Sequence, residues 1–348
     1  MKRTVFTIVL IMTALISSSC GKKLQKYHGS FLTLFNTITE VVAYADSEEE
    51  FNELVNFIHD ELETYHQLYD IYNSYEGINN IKTINDSAGI TPVTVDKKII
   101  DLLKYCKEAY ELSNGTVNVG MGSVLKIWHE YRTQGIDDPL SASLPPMELL
   151  TEANKHTDLD NLIIDEESST VFITDSLMSL DVGAVAKGYA TEQVTQKAIV
   201  AGYTDFLLSV GGNVRAVGGK GAEKAPWSVG VKNPDKDSEK TTLYALALND
   251  LSLVASGNYE RYYTVDGKIY HHIINPDTLM PSEYFTAVSV VCEDSGLADV
   301  LSTAIFNMPY EEGLSLIESI DGAEALWIYP DGSAEYTPGF GELIIKKY

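Results

Sequence analysis

Hydrophobic and polar positions follow two different periods along this chain. The stretch FLTLFNTITEVVAYA (residues 31–45) alternates apolar and polar side chains, the period of a half-buried strand. In the next stretch, SEEEFNELVNFIHDELETYHQLYDIY, Phe51, Leu54, Val55, Ile58, Leu62 and Tyr65 recur every three or four positions. That spacing predicts a long helix with one apolar stripe, and Ser47 with Glu50 three residues on supplies a capping-box start. A second helix is predicted after Asp96, with Ile99, Leu102, Leu103 and Cys106 facing inward and Gly115 beyond its end.

From about residue 159 the runs shorten. LIID, TVFITD, FLLSVGG, NVRAVG, WSVGVK, LYALALN and EALWIY read as strands, interrupted by a helix over residues 184–201 and another from about Ser295. Asp266-Gly267 and Asp331-Gly332 are hairpin turns, so the pairing is largely antiparallel. The expected class is α+β, a mostly antiparallel sheet flanked by helices, helix-rich over 47–155 and sheet-rich over 159–348. NPDKDSEKTT reads as a solvated loop, and no internal repeat is visible.

Charge narrows the partners. With 25 basic and 50 acidic side chains the 348-residue chain carries −25, which argues against nucleic acid or an anionic membrane surface recognised by bulk charge. The opening MKRTVFTIVLIMTALISSSC has two basic residues, an apolar run too short to span a bilayer comfortably, then small residues. It reads as an export signal. Cys20 after those small residues resembles a bacterial lipobox, with Ser17 where a branched aliphatic is usual. That resemblance implies a lipid on Cys20, a signal over 1–20, a tether over 21–30 and a protein held on the extracytoplasmic face of the cell membrane. Cys106 and Cys292 lie in apolar segments and read as small buried side chains. A disulfide between them is compatible with export, but no spacing supports it.

Three constellations could carry chemistry. In LDVGAVAKGYATE (residues 180–192) a strand ends at Asp181, Gly183 permits a tight turn and a helix begins near Ala184. Lys187 then reaches the same place as the first free amides, as an anion cradle requires, although tight helix-on-sheet packing explains the small residues equally well. Neither GxxxxGK[ST] nor GxGxxG is present. In SGLADVLSTAIFNM, Asp299 and Thr303 are four apart and share a helix face beside Ser302, a half-site for a hard cation or a satisfied helix-start aspartate. In NYERYYTVDGKIYHHIINP, a two-residue turn at Asp266-Gly267 sets Arg261 opposite His272 and Tyr263 opposite Tyr270, with His271 on the other face. Gly211-Gly212, in SVGGN, marks a close approach of ligand or backbone.

Taken in order, LDVGAVAKGYA, SVGGN, SGNYERYYTVDGKIYHHIINP and ADVLSTAIF resemble the ApbE family, the FAD:protein FMN transferases. LFNT, YDIYNSYEGINNIKTIND and VNVGMGSVLKIW fit the family's upstream segments, so the resemblance spans nearly all of the mature chain. It implies an antiparallel sheet flanked by helices rather than a Rossmann domain. It also implies that Tyr72, the Val119, Gly120 and Met121 backbone, Asp181, Lys187 and Ile273 contact FAD. Mg²⁺ would be held by the Ala184 carbonyl, Asp299 and Thr303. The implied reaction moves FMN from FAD to a threonine or serine hydroxyl of an acceptor protein and releases AMP, with His272 as candidate for positioning or deprotonating the hydroxyl. Two alternatives stay open, an FAD pyrophosphatase using water and a non-enzymatic FAD-binding lipoprotein. The family's flavinylation motif is absent from this chain, so the acceptor is another, extracytoplasmic protein. Departures are Phe35-Asn36 for Met-Gly, Asn118 and Gly120 for Asp and Thr, and Asn258 and Asn275 where aspartate is common. The last two leave the general base open.

Replacing Cys20 with alanine should move the protein from the membrane fraction to the soluble or secreted one, read by fractionation and immunoblot. Unchanged membrane retention would contradict lipid anchoring.

Overall fold

The computed structural model describes residues 24–32 and 34–348; the signal segment, with Cys20, lies outside the described residues. Eight strands make the central sheet: β1 (Gln25–Leu32), β2 (Ile38–Ala45), β3 (Phe206–Val210), β4 (Asn213–Val217), β5 (Ser252–Gly257), β6 (Ala287–Cys292), β7 (Glu324–Ile328) and β8 (Ala334–Tyr336). They lie side by side in that order, and every neighbouring pair is antiparallel. Chain order and spatial order therefore coincide, although long excursions separate β2 from β3 and β4 from β5.

Both faces of this sheet are covered, and the two-residue alternation sorts side chains between them. Val254, Val288, Val290, Ala325 and Trp327 face the helices, while Leu253, Ala287, Val291, Leu326 and Ile328 face a three-stranded sheet of Trp227–Lys232, Thr242–Leu248 and Ile344–Lys347. That accounts for β6, AVSVVC, which is buried at every position. The principal helices are α1 (Glu48–Tyr69), α2 (Lys97–Leu112), α3 (Gly122–Asp137), α4 (Ala186–Val200) and α5 (Ser295–Phe306). The predicted stripe of α1 is buried at Phe51, Leu54, Ile58, Leu62 and Tyr65, with Val55 half-buried. Among the described residues no helix is long and apolar enough to cross a membrane. Cys106 and Cys292 are free and buried.

Several expectations need correction. Residues 25–30, read as tether, belong to β1 and pair with β2 along their whole length. The single strand over 31–45 is broken by a turn at Leu34–Asn36, where Phe35 and Asn36 take left-handed backbone (φ 53° and 52°). Alternation continues through that break, so the pattern conceals it. Ser47 accepts the Glu50 amide as predicted, but the Glu50 carboxylate takes the Asp46 N–H rather than that of the cap. No named strand ends at Asp181; only an isolated bridge at Ser179 pairs there, and α4 starts at Ala186, two residues later than read.

One buried ion pair registers the helical layer on the sheet. Arg215 of β4 donates from Nε to Glu192 Oε2 of α4 at 3.2 Å, and the Ser295 N–H at the start of α5 donates to the same oxygen at 2.9 Å. The other oxygen accepts from Gln196 Nε2 at 2.6 Å. Both charged side chains are almost fully buried, so removing one leaves the other uncompensated. Glu192→Ala should lower the unfolding free energy by about 3 to 5 kcal/mol in denaturant titration. A loss below about 1 kcal/mol would place the pair among ordinary surface ion pairs.

Candidate active site

The site lies where the starts of α4 and α5 meet. Close approach is possible because Gly188 has no side chain: a Cβ there would sit 2.4 Å from Asp299 Cβ and 2.5 Å from the Ser295 carbonyl. Instead the Gly188 N–H donates to Asp299 Oδ2 at 2.8 Å, so a carboxylate from one helix caps the N-terminus of the other. Lys187 Nζ lies 3.8 Å from the same oxygen. Asp299 itself is 4% exposed.

This cap has a consequence for Ala184. Ordinary helical bonding would send the Gly188 N–H to the Ala184 carbonyl, but it is committed to Asp299. Among the described residues no donor reaches the Ala184 carbonyl, the Thr303 hydroxyl or Asp299 Oδ1. Three hard oxygens, one before α4 and two on α5, thus accept no hydrogen bond, and oxygens of this kind are the donor set a hard divalent cation prefers. Ser302, beside them, donates to the Asp299 carbonyl at 3.0 Å and shares a hydrogen bond with Ser256 of β5 at 2.9 Å, fixing this turn of α5 on the sheet. The residues fit a Mg²⁺ ion in chemistry.

The hairpin supplies the second wall. Its register is the predicted one, Tyr263 opposite Tyr270 and Tyr262 opposite His271, around a turn in which Asp266 and Gly267 both take positive φ. The ladder stops there, so Arg261 and His272 lie one step past its end rather than as a bonded pair. His271 is a core histidine, its Nε2 2.7 Å from the Ser282 carbonyl and its ring edge-on to Phe306. His272 has a buried Nδ1 with no partner. Burial, then the charges of Arg261, Arg132, His271 and Lys187, push its imidazole down to about 3. Ile273, half-buried, follows directly and passes its N–H to His271.

A third wall comes from α3, and the sequence reading missed it. Arg132 donates to His129 Nδ1 at 2.9 Å, and the His129 ring lies 5.7 Å from that of Tyr72, which is 55% exposed. His129 and Arg132 are three apart on one helix face, which was the available signal. Burial holds Asp181 above the ordinary carboxylate range, opposed by the Gly183 amide, His129, Arg261 and Arg132. Its place is set by two clamps: the Asp181 N–H donates to the Val119 carbonyl at 2.8 Å, and Asn85 brackets Leu180 from the other side. Gly120 in the same segment donates to Asn118 Oδ1, and a Cβ there would meet the Thr157 carbonyl at 2.7 Å. Met121 is buried against Ser179. Tyr72, Asp181 and His272 share the charges of Arg132 and Arg261 as neighbours, and Lys187 links His272 to Asp299.

Neither Arg132 nor Arg261 has a carboxylate within 4.0 Å among the described residues. The chain has four arginines and a net charge of −25, so two guanidiniums without an ion-pair partner, acting on His272 together with Lys187, make this a locally cationic place in an acidic chain. His59, Asp60 and Glu63 also cluster, but on the largely exposed face of α1.

Comparison with known proteins agrees with this architecture. The profile of the ApbE family matches residues 35–327, and the chain belongs to that family. It is 32% identical over 272 residues to the FAD:protein FMN transferase of Treponema pallidum, covering 74% of this chain and 73% of that one. To the protein of that name from Klebsiella pneumoniae it is 30% identical over 249 residues, covering 71% and 74%. The crystal structure of the ApbE protein from Thermotoga maritima superposes with a TM-score of 0.80 at 27% identity, over 92% of this chain and all of that one. Flavinyl transferase ApbE from Pseudomonas stutzeri shares the fold, with a TM-score of 0.76 at 21% identity over 94% and 99% of the two chains.

The lowered His272 makes stability depend on pH. From about pH 6.5 down to about 3 the unfolded chain takes a proton that the folded site refuses, so stability present above pH 6.5 is lost as pH falls. His271, lowered chiefly by burial, acts in the same sense. Asp181 and Asp294, raised chiefly by burial, act in the opposite sense above the ordinary carboxylate range. Denaturant titrations from about pH 7 to about 4.5 should therefore show a shallower decline for His272→Asn than for the parent. Equal slopes would mean the imidazole is not held neutral by its surroundings.

Proposed function

We propose that this protein is an FAD:protein FMN transferase: with Mg²⁺ it moves FMN from FAD to a threonine or serine hydroxyl of an extracytoplasmic acceptor protein and releases AMP. The observation that carries this reading is a cationic wall around a buried, partnerless His272 nitrogen: Arg132 and Arg261, without an ion-pair partner among the described residues, and Lys187, which lies near Asp299. A dinucleotide pyrophosphate is the anion that membership of the family brings to such a place. Export and the cysteine after the signal support a lipid-anchored position outside the cytoplasm.

The residues divide the work as follows. Tyr72, Asp181 and the Val119, Gly120 and Met121 backbone hold the nucleotide's ends, and Ile273 lines the wall beside His272. Lys187 and the two arginines hold the pyrophosphate, whose negative charge offsets the part of the lowering of His272 that these cations add to burial. With the anion in place, the His272 imidazole regains basicity and takes the hydroxyl proton of the acceptor. The hydroxyl oxygen bonds to the FMN-side phosphorus as the bond to the bridging oxygen breaks, and AMP departs with that electron pair. Mg²⁺, held by the Ala184 carbonyl, Asp299 and Thr303, would neutralise charge developing at the phosphates.

Two sets of variants test the assignment. Asp299→Ala, or EDTA with the parent protein, should lower flavinylation by about 10²-fold or more while FAD binding falls less. Full activity in either case would remove the metal role. Lys187→Ala should weaken FAD binding and turnover together, because a cation at phosphate acts on ground and transition states alike. His272→Asn should leave FAD affinity nearly intact by calorimetry and lower the initial flavinylation rate by roughly 10²-fold. If it loses affinity and rate in equal proportion, or neither, the histidine is a ligand contact or a bystander.

A further inference from the structure

Tyr72 poses a problem of order. The residue is 55% exposed, yet its backbone sits in a loop held by several hydrogen bonds. Asp70, the residue that ends α1, accepts the Tyr72 N–H at 2.6 Å and the Asn73 N–H at 3.0 Å on one oxygen. Its other oxygen accepts Asn73 Nδ2 at 3.0 Å and the Tyr75 hydroxyl at 2.8 Å. The Tyr75 oxygen lies 3.3 Å from His66 Nε2, and His66 Nδ1 accepts the Phe35 N–H at 3.3 Å. Fully buried Asn80 closes the loop from behind by donating to the Asn73 and Gln67 carbonyls at 2.8 and 3.1 Å. Burial opposes the Asp70 charge, but the hydrogen bonds from Asn73, Tyr72 and Tyr75 hold its carboxyl below the usual range.

Such bonding does more than anchor the end of α1, because it fixes the backbone of a residue whose own side chain is left largely exposed. What it does is remove, before any ligand arrives, the conformational freedom that a loop would otherwise lose on binding. The chain of contacts also runs on to the left-handed Phe35, so the sheet hairpin and the Tyr72 loop are tied into one unit.

Resting on the proposed function, we infer that Asp70 is a positioning residue for the dinucleotide: it holds Tyr72 preorganised beside His129 and acts on FAD only through that side chain. A double-mutant cycle tests this by calorimetry with FAD on the full chain. Asp70→Ala should weaken FAD binding by about 10-fold, and Tyr72→Ala by at least as much. In the Tyr72→Ala background, Asp70→Ala should add less than about 2-fold, because there is no longer a ring to position. Asp70→Asn keeps the acceptor oxygen for both amides and should restore affinity to within about 3-fold of the parent, which guards against reading misfolding as positioning. Multiplicative losses in the double variant, or failure of Asp70→Asn to rescue, would overturn the inference. Failure of the one part of the proposed function that this inference needs, FAD binding, is seen separately as no binding by the parent, and would remove this inference with it.

Discussion

The arrangement of the site depends on the buried carboxylate of Glu192. It receives Arg215 from β4 and the first amide of α5 on one oxygen, so three elements are set against each other by a single group. An apolar contact of the same size would contribute comparable stability, because burying two charges is costly. It would not fix a register, since apolar surfaces slide where directional bonds do not. The register matters one turn away, where Gly188 and Asp299 meet at a distance that only glycine permits. From that contact follow the diversion of the Gly188 amide, the undonated Ala184 carbonyl and the approach of Lys187 to the carboxylate.

Charge is distributed on the same logic. A chain with twice as many acidic as basic side chains leaves two of its four arginines without an ion-pair partner among the described residues, and both act on one histidine. In the free protein these charges and burial keep His272 neutral, so the nitrogen that the proposed chemistry needs stays unprotonated across the ordinary pH range. In the proposed reaction, a pyrophosphate held by those cations would also offset their effect on the imidazole. Binding and activation thereby share one electrostatic cause.

Much of this was legible in the sequence, for reasons that also explain the gaps. The stripe of α1, the hairpin register and the Asp299–Thr303 face follow from periods of 3.6 and 2, which act over a few residues. Ordered motifs added the family and, with it, the FAD and metal candidates. Glu192 and Arg215 went unnoticed because they lie 23 positions apart in elements of different period, and only packing brings them together. Arg132 and His129 were overlooked for a similar reason: their helix face is ordinary until the hairpin closes over it. The turn at Phe35 and Asn36 carries neither glycine nor proline, so nothing local announced the end of β1.

The central claim is that the cleft joins FMN to another protein rather than only holding or hydrolysing FAD. Intact-mass spectrometry of an exported acceptor protein bearing a flavinylation motif, after incubation with this protein, FAD and Mg²⁺, measures that directly. The account predicts an acceptor heavier by one FMN less one water, localised to a threonine or serine, with an equal amount of AMP released. Free FMN and AMP with an acceptor of unchanged mass, or FAD recovered intact, would contradict it.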